Sequence, residues 1–112
     1  MIAIIDYGLG NSGSIRNMLK KIGVESSITA DEAVIRSADK LIIPGVGAFD
    51  EGMKQIESLK LKPLLDELVL EQKVPVLGIC LGMQLFCKSS EEGVRPGLGW
   101  IDAECRRFRL DA

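Results

Sequence analysis

A chain of 112 residues is one domain at most, long enough to bury a core but small for an enzyme. Its hydrophobic share of 46% and charged share of 27% are ordinary for a soluble globular protein, and a formal charge of −2 with scattered cations leaves no electrostatic footprint for nucleic acid. No apolar run reaches the roughly 18 residues a membrane span requires, and the start "MIAIIDYG" lacks the basic leader of a signal peptide. A cytoplasmic protein with no membrane or nucleic-acid partner is expected.

In chain order, "IAII" (2–5) is a short apolar run ending at Asp6 and a glycine turn, as in a strand buried on both faces. Ile15, Met18, Leu19 and Ile22 then fall at helical spacing, with Ser12 or Ser14 as N-cap and Gly23 as the stop. "VESSIT" (24–29) reads as a weaker strand, "DEAVIRSA" (31–38) as one or two helical turns, and "KLIIPGVG" (40–47) as a strand stopped by Pro44 and Gly45. Residues 49–72 read as a helix broken near Lys60–Pro63, with Leu61, Leu64, Leu65, Leu68 and Val69 as its apolar stripe. "VPVLGI" (74–79) is a fourth buried strand and "LGMQLFCK" a helix; "SSEEGVRPGLG" (89–99) is loop, and "WIDAECRRF" (100–108) alternates like a strand with one wet face.

The cations of "RRFR" (Arg106, Arg107, Arg109) sit beside Asp102, Glu104 and Asp111, as on a solvated strand face. Strand–helix alternation of this kind predicts a parallel α/β sheet flanked by helices, with ligands gathering at the carboxyl ends of the strands. Three glycine turns fall at those ends.

The first, "GLGNSG", places Gly8, Gly10 and Gly13 in the G-x-G-x-x-G pattern of dinucleotide sites. Neither Glu25 nor Asp31 is placed to hold a ribose, and a tight turn needs glycine with or without phosphate. A plain or substrate-adjacent turn is therefore the expectation, with no cofactor. The second, "PGVGAF" (44–49), puts two glycines around Val46. It is either a strand-terminating turn or a loop that swings a peptide N–H toward a ligand.

The third, "GICLGM", is the most specific. Cys80 ends a buried strand and opens a helix between Gly78 and Gly82. A strand that turns at once into a helix strains the corner residue and lifts its side chain clear of the backbone, the geometry of a nucleophile elbow. Helix-start N–H groups, notably that of Leu81, favour a thiolate and can stabilise an oxyanion. The alternative is a small buried cysteine in a glycine-rich turn. Cys87, inside the following helix, and Cys105, in a strand, read as packing residues. Three cysteines without CxxC spacing argue against a disulfide framework or a zinc site, and with no histidine in the chain no metal is expected.

Taken together, "PGVGAF" and "GICLGMQ" resemble the class I, triad-type glutamine amidotransferases, whose fold is a flavodoxin-like parallel sheet. "IAIIDYGLGNSGSI" and "RPGLGW" narrow the likeness to the glutaminase subunits of imidazole glycerol phosphate synthase, from histidine biosynthesis. The resemblance implies that Cys80 attacks the amide of glutamine and that ammonia passes to a synthase or cyclase partner of β/α-barrel type. It also implies an oxyanion hole from Leu81 and the Val46–Gly47 segment, with Gly45, Gln84 and Asn11 at the glutamine site. The family's histidine base and its orienting glutamate lie C-terminal of the elbow, and this chain has no histidine. The expectation is the N-terminal part of a single amidotransferase domain, truncated before those two residues and inactive alone. Two alternatives stay open: a paralogue supplying ammonia for sugar amidation in surface polysaccharide synthesis, and a non-catalytic interaction module.

Overall fold

The computed structural model describes residues 1–108, so Arg109 and Asp111, expected on a solvated strand face, lie outside the described residues. Four parallel strands form the main sheet: β1 (Ile2–Ile5), β2 (Ser26–Thr29), β3 (Lys40–Ile43) and β4 (Val76–Gly78), in the order β2-β1-β3-β4. Ile4 lies opposite Ile28 on one side and Ile42 on the other. Because successive side chains alternate across a strand, β1 and β3 supply two cores. Ala3, Ile5, Leu41 and Ile43 face α2 (Glu32–Ser37), α3 (Phe49–Ser58) and α4 (Lys62–Asp66), burying Ile35, Phe49, Met53, Ile56 and Leu65 with them. Ile4 and Ile42 face the opposite side, where α1 (Ser12–Lys21) adds Leu19. Among the described residues no helix is long and apolar enough to cross a membrane.

The expected break near Lys60 is present: Lys60 has φ 57°, and α4 begins beside Pro63 and runs into a π-helical turn at Glu67–Glu71. Leu61, Leu64, Leu65 and Leu68 are buried and Val69 packs against them.

Several expectations need correction. The cap of α1 is neither Ser12 nor Ser14 but Asn11, whose side chain accepts from the Ser14 N–H at 3.3 Å. Met18 and Ile22 are exposed, since only part of the helix stripe meets the sheet. β4 is an edge strand with Leu77 exposed, not a strand buried on both faces.

The helix after the elbow, α5, spans only Leu81–Gln84, which leaves Cys87 beyond it. Its continuation is displaced by the "RPGLGW" segment. Amides of Leu98, Ile101 and Gly99 take the carbonyls of Leu85 (2.7 Å), Phe86 (2.9 Å) and Cys87 (3.1 Å), acceptors a longer helix would use. Two more residues of the expected loop, Ser89–Ser90, form β5. It pairs in parallel with β6 (Glu104–Cys105), the only part of 100–108 that becomes strand; Arg106 and Arg107 are exposed beyond it.

Candidate active site

Because β1 lies between β2 and β3, the chain leaves it first toward one edge and then toward the other, which opens a crevice at the strands' carboxyl ends. The turns after β1, β3 and β4 meet there. Cys80 stands at the β4–α5 corner with φ 54° and ψ −118°, a backbone conformation that costs energy for a residue with a Cβ. The thiol is exposed.

The neighbouring glycines permit the corner. A Cβ on Gly78 would lie 2.6 Å from the Met83 Cα, and one on Gly82 would fall on the Ile43 carbonyl oxygen. Strand, elbow and helix start are thus packed backbone against backbone. The expectation of a nucleophile elbow holds in its geometry, and that of a buried structural cysteine does not.

The expected oxyanion donor is already engaged. The Leu81 N–H is not free; it donates to the Gly45 carbonyl at 3.1 Å. The next two amides are engaged as well, Gly82 with Ile79 at 3.0 Å and Met83 with Cys80 at 3.0 Å. α5 has four residues, so few peptide dipoles align behind Cys80. In this conformation the amide expected to stabilise an oxyanion is occupied by the loop expected to supply the second donor. Within that loop Gly45 is buried, Val46 is 60% exposed and Gly47 has φ 117°.

Gln84 lines a cavity of about 300 Å³ with Ser90, Glu92, Cys105, Arg106 and Arg107; Cys80 is not among its walls. The Gln84 carbonyl accepts from the Cys87 N–H at 3.1 Å and from the Cys105 thiol at 3.5 Å. Burial, with Cys87 beside it, pushes the Cys105 thiol up to about 11, in keeping with its reading as a packing residue. Asn11 is exposed and spends its side-chain oxygen on the α1 cap, although Gly10 brings its turn against the loop: a Cβ there would lie 2.9 Å from the Gly45 nitrogen. Gly13, third of the G-x-G-x-x-G set, has nothing within 4 Å of a Cβ, which removes the close packing a dinucleotide turn asks of that glycine.

Two contributors escape sequence reasoning. Tyr7 is buried at the end of β1 and its hydroxyl donates to the Pro44 carbonyl. Its signal was a single tyrosine closing an apolar strand. Asp50, in the first turn of α3, binds the backbone of Val94 and Arg95, a pairing no local pattern announces.

A strand-corner cysteine beside a glycine loop agrees with the family comparison, in which the glutamine amidotransferase class-I description matches residues 3–105. The chain belongs to the class I glutamine amidotransferases. The chain is 54% identical over 110 residues to "Imidazole glycerol phosphate synthase subunit HisH 2" of Methanococcus maripaludis, covering 98% of the chain and 54% of that protein. It is 48% identical over 108 residues to the HisH 2 subunit of Pseudomonas aeruginosa, covering 96% of the chain and 54% of the relative. The chain therefore spans about half the length of the curated relatives it matches. A solved structure described as a glutamine amidotransferase superposes with a TM-score of 0.80 at 20% identity, over 96% of this chain and 57% of that one. That likeness supports the fold: a parallel sheet flanked by helices, as expected for an amidotransferase.

Proposed function

We propose that these residues form the nucleophile-bearing, N-terminal part of a glutaminase subunit of imidazole glycerol phosphate synthase. The Cys80 thiolate attacks the side-chain carbonyl carbon of glutamine, the tetrahedral adduct expels ammonia, and water hydrolyses the resulting γ-glutamyl thioester to glutamate. The amide nitrogen leaves as NH3 only if it gains a proton, and no histidine is present in the 112 residues to deliver it. The reading therefore assigns that step to a histidine and its glutamate partner outside them. Ammonia then goes to a β/α-barrel synthase subunit in histidine biosynthesis. Free cysteines suit a reducing, cytoplasmic setting.

Loop 45–47 acts as the gate in this reading. The Gly45–Val46 peptide now turns its carbonyl onto the Leu81 N–H. Rotating that peptide exchanges C=O for N–H, releasing the Leu81 donor and bringing in a second from Val46. Gly45 and Gly47 give the backbone the freedom to do so. Gln84 and Asn11 are assigned to the glutamine site on the family likeness.

The observation that carries the proposal is the exposed Cys80 thiol on a strained strand-to-helix corner. In the complete glutaminase with its synthase partner, Cys80→Ala should abolish glutamine-dependent synthesis and leave synthesis from ammonium salts intact. Loss of both activities together would remove the assigned role.

A further inference from the structure

Tyr7 is the only tyrosine in the chain and is 1% exposed. Its hydroxyl donates to the Pro44 carbonyl, and burial raises its phenol well above the usual value, so it remains a donor throughout the neutral range. Pro44 is already restricted by its ring, which locks φ and supplies no N–H. With its carbonyl held as well, the residue before the gate is fixed on both sides.

The next peptide is the one that blocks Leu81. Its rotation draws on two soft dihedrals, ψ of Gly45 and φ of Val46, both beyond the point Tyr7 holds. Gly45 also has its Cβ position filled: a methyl group there would strike the Tyr7 hydroxyl and lie 2.9 Å from the Gly82 nitrogen. Tyr7 thus bounds the space beside Gly45 and pins its neighbour.

We infer that Tyr7 is a positioning residue whose hydroxyl anchors Pro44 as the fixed pivot about which the Gly45–Val46 peptide turns to form the oxyanion site. Its effect therefore falls on stabilisation of the tetrahedral adduct and not on glutamine binding. The inference rests on the glutaminase reading of Cys80.

The test uses the complete glutaminase with its synthase partner. First, active sites are counted by labelling Cys80 with a glutamine-like diazoketone. If Cys80 in the parent enzyme does not react, the glutaminase reading fails, whatever Tyr7 does. Tyr7→Phe keeps the ring and removes the donor. Per titrated site, kcat should fall about 10- to 100-fold, somewhat less than direct removal of an oxyanion donor, with KM within about twofold.

Glutamate γ-semialdehyde, whose adduct with Cys80 carries the oxyanion, should lose affinity by the same factor. A merely structural tyrosine would lower the titratable fraction or the melting temperature and leave kcat per site and aldehyde affinity unchanged. That result overturns the inference, as does a change confined to KM. Should Tyr7→Phe fail to fold, fluorotyrosines at residue 7 keep ring and hydroxyl while changing donor strength. Across that series kcat and aldehyde affinity should move together, and a flat response overturns the inference equally.

Discussion

At Gly82 a Cβ would fall on the Ile43 carbonyl oxygen and lie 3.1 Å from that of Pro44, both backbone atoms that cannot swing aside. At Gly13, in the first turn of α1, an added Cβ meets nothing within 4 Å. The two substitutions therefore have opposite signs. Gly82→Ala should destabilise by about 1–3 kcal/mol or more through overpacking, and Gly13→Ala should stabilise by about 0.4–1 kcal/mol by restricting the unfolded chain. Urea midpoints at constant slope check both, and a destabilised Gly13→Ala protein would point to a role for that glycine that the packing does not contain. The contrast also shows what a motif can convey. Gly78 answers to a local need, the helix start at Met83, and could be read from its spacing to Cys80, whereas the demand of Ile43 on Gly82 and the engagement of Leu81 by Gly45 join distant segments and could not.

The α3 start and the loop at 94–95 form one unit through Asp50. Its carboxylate accepts from Val94 at 3.0 Å and from Arg95 at 2.9 Å, and these two backbone donors hold its pKa below the ordinary carboxylate value. A group whose pKa is lower folded than unfolded stabilises the fold in its ionised form. The contribution is whole above the unfolded value of about 4 and disappears as pH falls through the folded one. Asp50→Asn should accordingly lower the urea midpoint at pH 7, and its gap from the parent should close under progressively acidic conditions. A gap independent of pH would mean that the charge is immaterial. At this scale the sequence was legible where an element depends on its own period: β1, the break at Lys60 and the leucine stripe of α4 stand as read. It was illegible where a distant segment competes, as the "RPGLGW" strap does by taking the carbonyls after α5.

Across the whole molecule the sheet is unevenly covered. The face toward α2, α3 and α4 carries the larger core, while α1 covers the other only in part. Leu19 and Ile42 there line an apolar groove of about 270 Å³ that continues to exposed Leu77 on β4. Amide protection should follow this gradient, slowest in β1 and β3, which have a neighbour on each side, and fastest in β4 and the two-residue β6. Hydrogen exchange followed residue by residue checks the ranking; protection at Leu77 equal to that at Ile4 would contradict it. Trp100, the chain's single indole, sits 4.9 Å from the ring of Phe86 and donates its N–H to Asp66 at 2.7 Å. Tryptophan emission from this chain thus arises at one spot, wedged between the helical layer and the turn that leaves Gln84. The chain carries its own optical gauge of the turn that follows α5, and needs no attached dye to show when that turn shifts.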